Sequence, residues 1–344
     1  MNFIDLEAHF FTHEYVEYLR ARKKAPRLET VQDEQKGRFD RLWFGDDLWV
    51  SRQSTLGPLL EVGEGRIRDM DAAGISMQVL SLGGPGCELF DVSDGTIMAR
   101  KTNDELSGLI KKHPGRFIGL AALPLQNPAG AADELERAVK ELSLKGAKVN
   151  SNVAGKYLDD KEFMPVLETA ERLGVPIYIH PRLPPADMLK FYKGYGYGLA
   201  GPGLGFAADT ALHAMRLILS GAFDRYPKLK IILGHLGEGL PFWLKRIDAS
   251  WARGAGEKAI RKKPSEYLSQ NFWITVSGMF FEPAFLCVYL ALGADRITFA
   301  SDYPFEKGNQ AVEFIDKLPI CETDKKKVMY LNAAKLFGLA KSRL

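Results

Sequence analysis

Eight short apolar runs, separated by amphipathic stretches of helical period, constrain the fold of this chain more than any other feature. The runs lie at residues 3–8, 76–82, 117–123, 146–149, 176–179, 230–233, 272–276 and 297–300. Helical patterns lie between them at residues 95–112, 129–142, 160–173, 207–222, 240–251 and 283–292. Strands that alternate with helices predict βα units around a parallel sheet. Eight such units favour an α/β fold of the (β/α)₈ TIM-barrel type, with an open doubly wound sheet as the alternative, because periodicity does not establish closure.

Two connections are much longer than the others. Residues 20–66 are strongly charged and follow the first strand, and residues 181–205, rich in Pro, Gly and Tyr, follow the fifth. Both leave the C-terminal end of a strand, where barrel active sites lie, so each is predicted to fold over the barrel mouth or else to decorate the surface. We expect a single domain over residues 1–344, with 20–66 as an insertion and 323–344 as a closing C-terminal helix, capped by Thr323.

Composition excludes several classes of partner. The 46 basic and 43 acidic side chains leave a formal net charge of +3, which is too small to predict a nucleic-acid groove. No apolar stretch approaches the length of about 18 residues that predicts a membrane span, and no signal peptide is recognisable. The three cysteines are widely spaced and form neither a zinc motif nor a disulfide pattern. We therefore expect a cytoplasmic protein without a nucleic-acid or membrane partner.

Ionisable side chains stand at the end of the first and fifth strands. Glu7 and His9 lie two residues apart, so the alternation of a strand places them on one face. A carboxylate and an imidazole so placed can converge on a divalent cation. His180 ends an apolar strand, where it is either a ligand at the barrel mouth or a histidine satisfied by backbone.

The sixth and eighth strands end in the same way. His235 follows an apolar run within Gly-His-Leu-Gly-Glu-Gly, and Glu238, three residues on, either orients the imidazole or begins a helix. Asp302 ends the last strand before Pro304. In a parallel barrel all these strand ends share one rim, so the sequence predicts one site that contains them.

At these residues the sequence resembles the metal-dependent amidohydrolase superfamily, in the branch of aminocarboxymuconate-semialdehyde decarboxylase and the hydroxybenzoate decarboxylases. The motifs that carry the resemblance are Glu7-x-His9, Ile-His180-Pro-Arg, the Gly-rich segment from His235 to Glu238, and Ala-Ser-Asp302-Tyr-Pro. Hydrolytic members usually carry His-x-His in place of Glu-x-His. The first motif therefore indicates the decarboxylase branch and an amidohydrolase-type barrel.

The resemblance implies a ligand set, a catalytic set and partners. One divalent ion, Mn²⁺, Zn²⁺ or Mg²⁺, is expected on Glu7, His9, His180 and Asp302. His235 and Glu238 become the catalytic pair, together with Asp302. Two further residues are expected to bind substrate: Arg246, supplied by a neighbouring subunit of a homodimer or homotetramer, and Phe10, as part of an aromatic wall.

The implied reaction is non-oxidative decarboxylation of a hydroxylated aromatic acid of the salicylate or dihydroxybenzoate kind. Protonation of the ring carbon before CO₂ leaves avoids an aryl carbanion, and either Asp302 or His235 is the proton donor. The alternatives are a metal-dependent hydrolase, for example a lactonase, a hydratase, or a barrel without catalytic activity. The same ligands would serve a hydrolase, so residue patterns alone do not separate these reactions.

Overall fold

The computed structural model describes residues 3–35, 37–45, 48–254 and 260–340. The described residues include twelve strands, nine of them in a parallel barrel and three in a separate antiparallel sheet. These strands are β1 Phe3–Phe10, β2 Arg27–Asp33, β3 Gly37–Trp43, β4 Trp49–Ser51, β5 Ile75–Leu82, β6 Phe117–Gly119, β7 Ala121–Ala122, β8 Ala147–Asn150, β9 Pro176–His180, β10 Lys230–Leu233, β11 Phe272–Thr275 and β12 Ile297–Thr298.

The barrel strands run parallel in chain order. β1 pairs with β5 and β5 with β6, and a second series runs from β7 through β8, β9, β10 and β11 to β12. β6 and β7 are two halves of one barrel strand, joined at Leu120, whose amide donates to the Leu80 carbonyl at 2.9 Å. All eight predicted strands are thus confirmed.

Backbone hydrogen bonds close the ring between β1 and the segment that follows β12. We call this junction the seam. Its three bonds run from the Leu6 amide to the Phe299 carbonyl (3.0 Å), from the His9 amide to the Tyr303 carbonyl (2.7 Å), and from the Asp302 amide to the Glu7 carbonyl (3.0 Å). The predicted barrel is therefore correct, and the open sheet is excluded.

Helices surround the barrel and connect its strands. The α-helices are α1 His13–Ala21, α2 Leu56–Leu60, α3 Glu64–Ala73, α4 Val92–Lys112, α5 Pro128–Lys140, α6 Met164–Leu173, α7 Ala186–Leu189, α8 Gly196–Gly198, α9 Gly205–Leu219, α10 Ala222–Arg225, α11 Leu240–Arg253, α12 Pro264–Asn271, α13 Glu282–Leu292, α14 Gly308–Lys317, α15 Glu322–Lys326 and α16 Asn332–Phe337. Short 3₁₀ turns lie at Lys161–Phe163, Lys190–Tyr192, His235–Gly237 and Ala294–Arg296, and π turns at Leu199–Gly203 and Lys327–Leu331. None of the helices in the described ranges has the length and apolar character needed to cross a bilayer.

A bulge in β1 decides which of its side chains face the interior. Asp5 pairs with Gln78 but Ala8 pairs with Leu80, so β1 carries one more residue than β5 over this stretch. Ile4 and Leu6 belong to the small apolar cluster inside the barrel, whereas Ala8 and Phe10 belong to the large cluster between barrel and helices. The extra residue shifts the alternation by one position. As a result Glu7 and His9, rather than Ala8 and Phe10, point into the barrel.

The insertion after β1 is more ordered than its composition predicts. We expected residues 20–66 to form a long charged connection, but β2, β3 and β4 form an antiparallel sheet there. Cations pack on aromatic rings in this sheet: Arg41 lies 4.0 Å from the Trp49 ring centroid, and Arg27 lies 5.0 Å from that of Trp43. Because charged and aromatic residues alternate here, the segment lacks the apolar pattern by which a strand is predicted from sequence.

The insertion also reaches the second long connection, at residues 181–205. Phe44 stacks on Tyr197 of that connection with 5.6 Å between ring centroids. Arg52 lies 5.0 Å from the ring centroid of Phe305, which follows the last barrel strand. The insertion therefore folds over the barrel mouth, which is the first of the two predicted alternatives, and is not only a decoration of the surface.

The C-terminal helix is shorter than predicted. Helical structure extends from Glu322, across the π turn, to Phe337, with Cys321 at the N-cap position instead of Thr323. Gly338 adopts a left-handed conformation (φ 62°), which ends the helix well before residue 344. Residues 341–344 lie outside the described part of the chain.

Arg66 attaches the end of the insertion to the barrel. This fully buried side chain donates from Nη2 to the carbonyls of His9 and Pro58, both at 2.8 Å, and from Nε to that of Glu61 at 3.0 Å. Its guanidinium lies 4.7 Å from the Tyr303 ring centroid. One side chain thus links α3 to both sides of the seam.

We expect Arg66→Ala to lower the free energy of unfolding by about 3 kcal/mol, because three backbone carbonyls lose their donor and the packing of a fully buried side chain is lost. Urea unfolding followed by circular dichroism measures this change. Arg68→Ala, at an exposed position of the same helix, is the matched control and should change stability by less than about 0.5 kcal/mol. Equal losses in the two variants would contradict the assigned role of Arg66.

Candidate metal centre

Four side chains converge at the mouth of the barrel. Glu7 and His9 come from β1, His180 ends β9, and Asp302 follows β12. One potential ligand atom from each lies within 4.8 Å of those of the other three. The shortest separations are 3.2 Å, from His9 Nε2 to both Asp302 Oδ1 and His180 Nε2, and from His180 Nε2 to Glu7 Oε1. The sequence-predicted ligand set therefore forms one cluster.

This geometry fits a divalent ion. Ligand atoms about 2.1 Å from a tetrahedrally coordinated metal lie about 3.4 Å from one another. Three separations in the cluster are 3.2 Å, the one between His9 Nε2 and Glu7 Oε1 is 3.7 Å, and all lie within 4.8 Å. Glu7 Oε1 is buried and has no hydrogen-bond partner among the described residues. A cation at the centre would satisfy this oxygen.

Neighbouring groups orient the ligands. His180 Nδ1 donates to the Pro181 carbonyl at 2.8 Å, which leaves the lone pair of Nε2 directed at the cluster. The Ser81 hydroxyl lies 3.3 Å from His9 Nδ1, and the Tyr178 hydroxyl donates to Glu7 Oε2.

Burial, together with the Lys148 ammonium, lowers the pKa of His180 to about 4. His180 is thus a neutral nitrogen donor over the physiological pH range.

His235 and Glu238 form a second group beside the cluster. His235 Nδ1 lies 2.9 Å from Glu238 Oε1, and His235 Nε2 lies 4.0 Å from Asp302 Oδ2. Burial favours the neutral imidazole, but the carboxylates of Glu238 and Glu7 outweigh it and raise the pKa of His235 well above its ordinary value. The protonated form of His235 is therefore favoured, and its Nε2 faces Asp302.

An unusual turn holds this pair in place. All five residues from 235 to 239 have positive φ, and three of them are not glycine: His235 (47°), Leu236 (55°) and Glu238 (54°). Asp302 also has a positive φ of 68°. Left-handed conformations at residues other than glycine cost about 1–3 kcal/mol each and are concentrated at functional sites. The strain here coincides with the predicted catalytic residues.

The structure does not bring the two predicted substrate-binding residues to this site. Phe10 is buried between barrel and helices, on the face of β1 opposite to His9, because the β1 bulge sets the alternation. Arg246 is exposed on α11. Phe10 is thus not part of an aromatic wall at this site, whereas the role of Arg246 in a neighbouring subunit stays a prediction.

Three residues near the cluster were missed from the sequence. Arg52, buried in the insertion, stacks on Phe305, whose ring centroid lies 5.5 Å from that of His9. Nothing in the charged segment distinguishes Arg52 from its neighbours. Tyr178, in contrast, lies two residues before His180 on the same strand, so period-two alternation was a usable signal for its contact with Glu7.

Fold and site together define a (β/α)₈ barrel with a candidate metal site at the C-terminal ends of its strands. A model of the amidohydrolase family matches residues 4–339. The γ-resorcylate decarboxylase of Polaromonas sp. strain JS666 is 41% identical over 290 residues, which cover 82% of this chain and 89% of that protein. The chain belongs to the amidohydrolase family, as the sequence motifs predicted.

Solved structures agree. The 5-carboxyvanillate decarboxylase of Sphingomonas paucimobilis superposes with a TM-score of 0.88 and 35% identity, covering 98% of this chain and 99% of that one. A dihydroxybenzoic acid decarboxylase from Polaromonas sp. JS666, solved with bound manganese and the inhibitor 2-nitroresorcinol, superposes with a TM-score of 0.86 and 37% identity. That match covers 100% of this chain and 99% of the other. The amidohydrolase-type barrel is therefore confirmed.

We expect Glu238→Gln to lower the pKa of His235, because the substitution removes the nearest negative charge while keeping the size of the side chain. Titration of the His235 ring protons by NMR measures this pKa. Glu306→Gln, which removes an exposed carboxylate near His235, should lower it less. An unchanged pKa in Glu238→Gln would show that Glu238 does not hold the proton on His235.

Proposed function

We propose that this protein catalyses the non-oxidative decarboxylation of a hydroxylated aromatic carboxylic acid, with one divalent ion, Mn²⁺, Zn²⁺ or Mg²⁺, on Glu7, His9, His180 and Asp302. The two oxygens of Asp302 carry the proposal: Oδ1 lies 3.2 Å from His9 Nε2 and Oδ2 lies 4.0 Å from His235 Nε2. One carboxylate therefore adjoins both the ion site and a proton carrier. Relatives 38% and 41% identical to this chain are γ-resorcylate decarboxylases, which supports this reaction.

The surroundings of Arg52 support the proposal that the substrate is an acidic aromatic molecule. The side chain is buried, its Nε has no hydrogen-bond partner, and it forms no ion pair with any carboxylate in the described ranges. Burying a cation without a partner is unfavourable, and an anionic ligand would offset that cost. Phe305, which stacks on Arg52 and lies near His9, would contact the ring of the same ligand.

The proton moves through side chains of this chain. A divalent ion would supply chelation of the substrate carboxylate and its ortho oxygen, and would favour the ionised phenol. Asp302 delivers a proton from Oδ2 to the ring carbon that bears the carboxylate. The bond between that carbon and the carboxylate then breaks, its electron pair restores the aromatic ring, and CO₂ leaves. His235, held by Glu238, returns a proton to Asp302.

Association of identical subunits would complete the site. The aromatic rings of Phe242 and Trp243 are 73% and 51% exposed on α11, close in sequence to Arg246. Large exposed aromatic side chains of this kind mark interaction surfaces. In a homodimer or homotetramer that covers them, Arg246 would approach the substrate of a neighbouring subunit.

Incubation of the manganese-loaded protein with salicylate, 2,3- and 2,6-dihydroxybenzoate, 5-carboxyvanillate and a set of lactones tests the reaction. We expect CO₂ release and a change in ring absorbance with at least one aryl acid, and loss of both in His180→Ala because a ligand is removed. His13→Ala, at an exposed position of α1, is the control and should retain activity. Hydrolysis of lactones without CO₂ from any acid would establish a hydrolase instead.

Substitution of Arg52 by Gln tests its contact with the substrate. We expect KM to rise by about 10- to 100-fold with a smaller change in kcat, because a charge-assisted hydrogen bond contributes about 1.5–3 kcal/mol. Arg38→Gln, at an exposed position of the same insertion, should leave both parameters unchanged. An unaltered KM in Arg52→Gln would remove Arg52 from the substrate site.

A further inference from the structure

Asp5 lies on β1 between Ile4 and Leu6, two residues before the predicted ligand Glu7, and its side chain is completely buried. Its carboxylate accepts four hydrogen bonds. Oδ1 accepts from the amides of Ser301 (2.8 Å) and Glu7 (3.2 Å), and Oδ2 accepts from Ser301 Oγ (2.5 Å) and Gln78 Nε2 (3.1 Å). The carboxylate thus holds the backbone on both sides of the seam.

These contacts adjoin the two carboxylate ligands. One of the four donors is the amide of Glu7 itself, and two belong to Ser301, which precedes Asp302. Ser301 Oγ also accepts from the Tyr303 amide at 3.2 Å, and the Asp302 amide donates to the Glu7 carbonyl. Asp5 and Ser301 therefore bracket both ligands within one hydrogen-bond network.

The β1 bulge makes such a support necessary. An extra residue interrupts the ladder between Asp5 and Ala8, where β1 would otherwise be held by regular pairing with β5. Glu7 lies inside this interruption. Its backbone relies on the seam, and hence on Asp5, more than the backbone of a residue in an unbroken ladder does.

We propose that Asp5 is a positioning residue, which sets the separation of Glu7 and Asp302 by joining their backbones across the seam. The inference rests on the proposed metal site but is distinct from the decarboxylation itself. Asp5 touches neither the cluster centre nor the substrate region. Its effect is exerted through hydrogen bonds to backbone and to Ser301.

Two substitutions of Asp5 distinguish the effect of its hydrogen bonds from the effect of its negative charge. Asn at position 5 is nearly isosteric: its oxygen can accept the two amides, and its NH₂ can donate to Ser301 Oγ and to Gln78 Oε1, which has no partner among the described residues. Ala at position 5 removes the network and the charge together. A network role therefore predicts a small effect of Asp5→Asn and a large effect of Asp5→Ala.

Calorimetric titration of the metal-free protein with Mn²⁺, combined with electron paramagnetic resonance of the bound ion, tests the proposal. We expect Asp5→Ala to weaken Mn²⁺ binding by about 10- to 100-fold and to change the spectrum, and Asp5→Asn to stay within about threefold of wild type. Ser301→Ala, the milder disruption, should weaken binding in the same direction. It also keeps the proposal testable if Asp5→Ala does not fold.

Asn103→Ala is the matched control for lost buried hydrogen bonds. Asn103 is completely buried on α4, donates to the Ala122 carbonyl and Glu134, and accepts from the Ala122 amide. This variant should lose stability in urea but keep wild-type Mn²⁺ affinity.

The possible results distinguish failure of the positioning role from failure of the metal site. Wild-type affinity and spectrum in Asp5→Ala, or in Ser301→Ala if Asp5→Ala does not fold, would overturn the positioning role. Equal losses in Asp5→Asn and Asp5→Ala would also overturn it, since charge rather than position would then be responsible. A wild-type protein that binds no Mn²⁺ would instead refute the metal site on which the proposed function depends.

Discussion

The closure of the barrel across the seam is the interaction on which the rest of this molecule depends. Three backbone hydrogen bonds join β1 to the segment after β12, and two of them involve the backbone of Glu7, His9 or Asp302. Residues almost 300 positions apart in the chain therefore become neighbours within one cluster. Without closure, the ligands from the first and last strands would lie at opposite edges of an open sheet.

Concentrating ionisable groups at this rim has an electrostatic cost. Glu7 and His9 are completely buried, and Glu238 is nearly so. Unpaired charges in such surroundings are unfavourable, so each group here has a partner: Tyr178 for Glu7, Glu238 for His235, and the proposed cation for the cluster as a whole. The left-handed turn from residue 235 to 239 adds backbone strain that a packed barrel end can sustain.

The two long connections lie over the barrel mouth and form the outer wall of the site. The insertion supplies Arg52, and its Phe44 stacks on Tyr197 of the connection after β9. The barrel alone presents the ion site and the proton carrier, which would suit several reactions on a carbonyl or a carboxylate. Under the proposed function, the buried Arg52 and the aromatic ring of Phe305 would favour an acidic aromatic molecule, so part of the specificity would come from the insertion.

Local patterns were sufficient for most of the fold and for the existence of one shared site. The eight strands followed from apolar runs between helical patterns, and the ionisable residues at their C-terminal ends were predicted to share one rim. The resemblance to the family motifs then implied that Glu7, His9, His180 and Asp302 are the ligands, and these four residues form one cluster. The fold thus depends on short-range periodicity, whereas the choice of ligands depends on the family motifs.

Other features were decided only in three dimensions. The β1 bulge turned Phe10 away from the site, the seam made Asp5 a neighbour of both carboxylate ligands, and cation–π packing formed a sheet from the charged insertion. Arg52 has no sequence signal because its position relative to His9 depends on how the insertion folds back over the mouth. The sequence by itself determined which residues end the strands. Only tertiary structure decided what those residues face, because a one-residue shift in register or a contact between distant segments leaves no periodic trace in the chain.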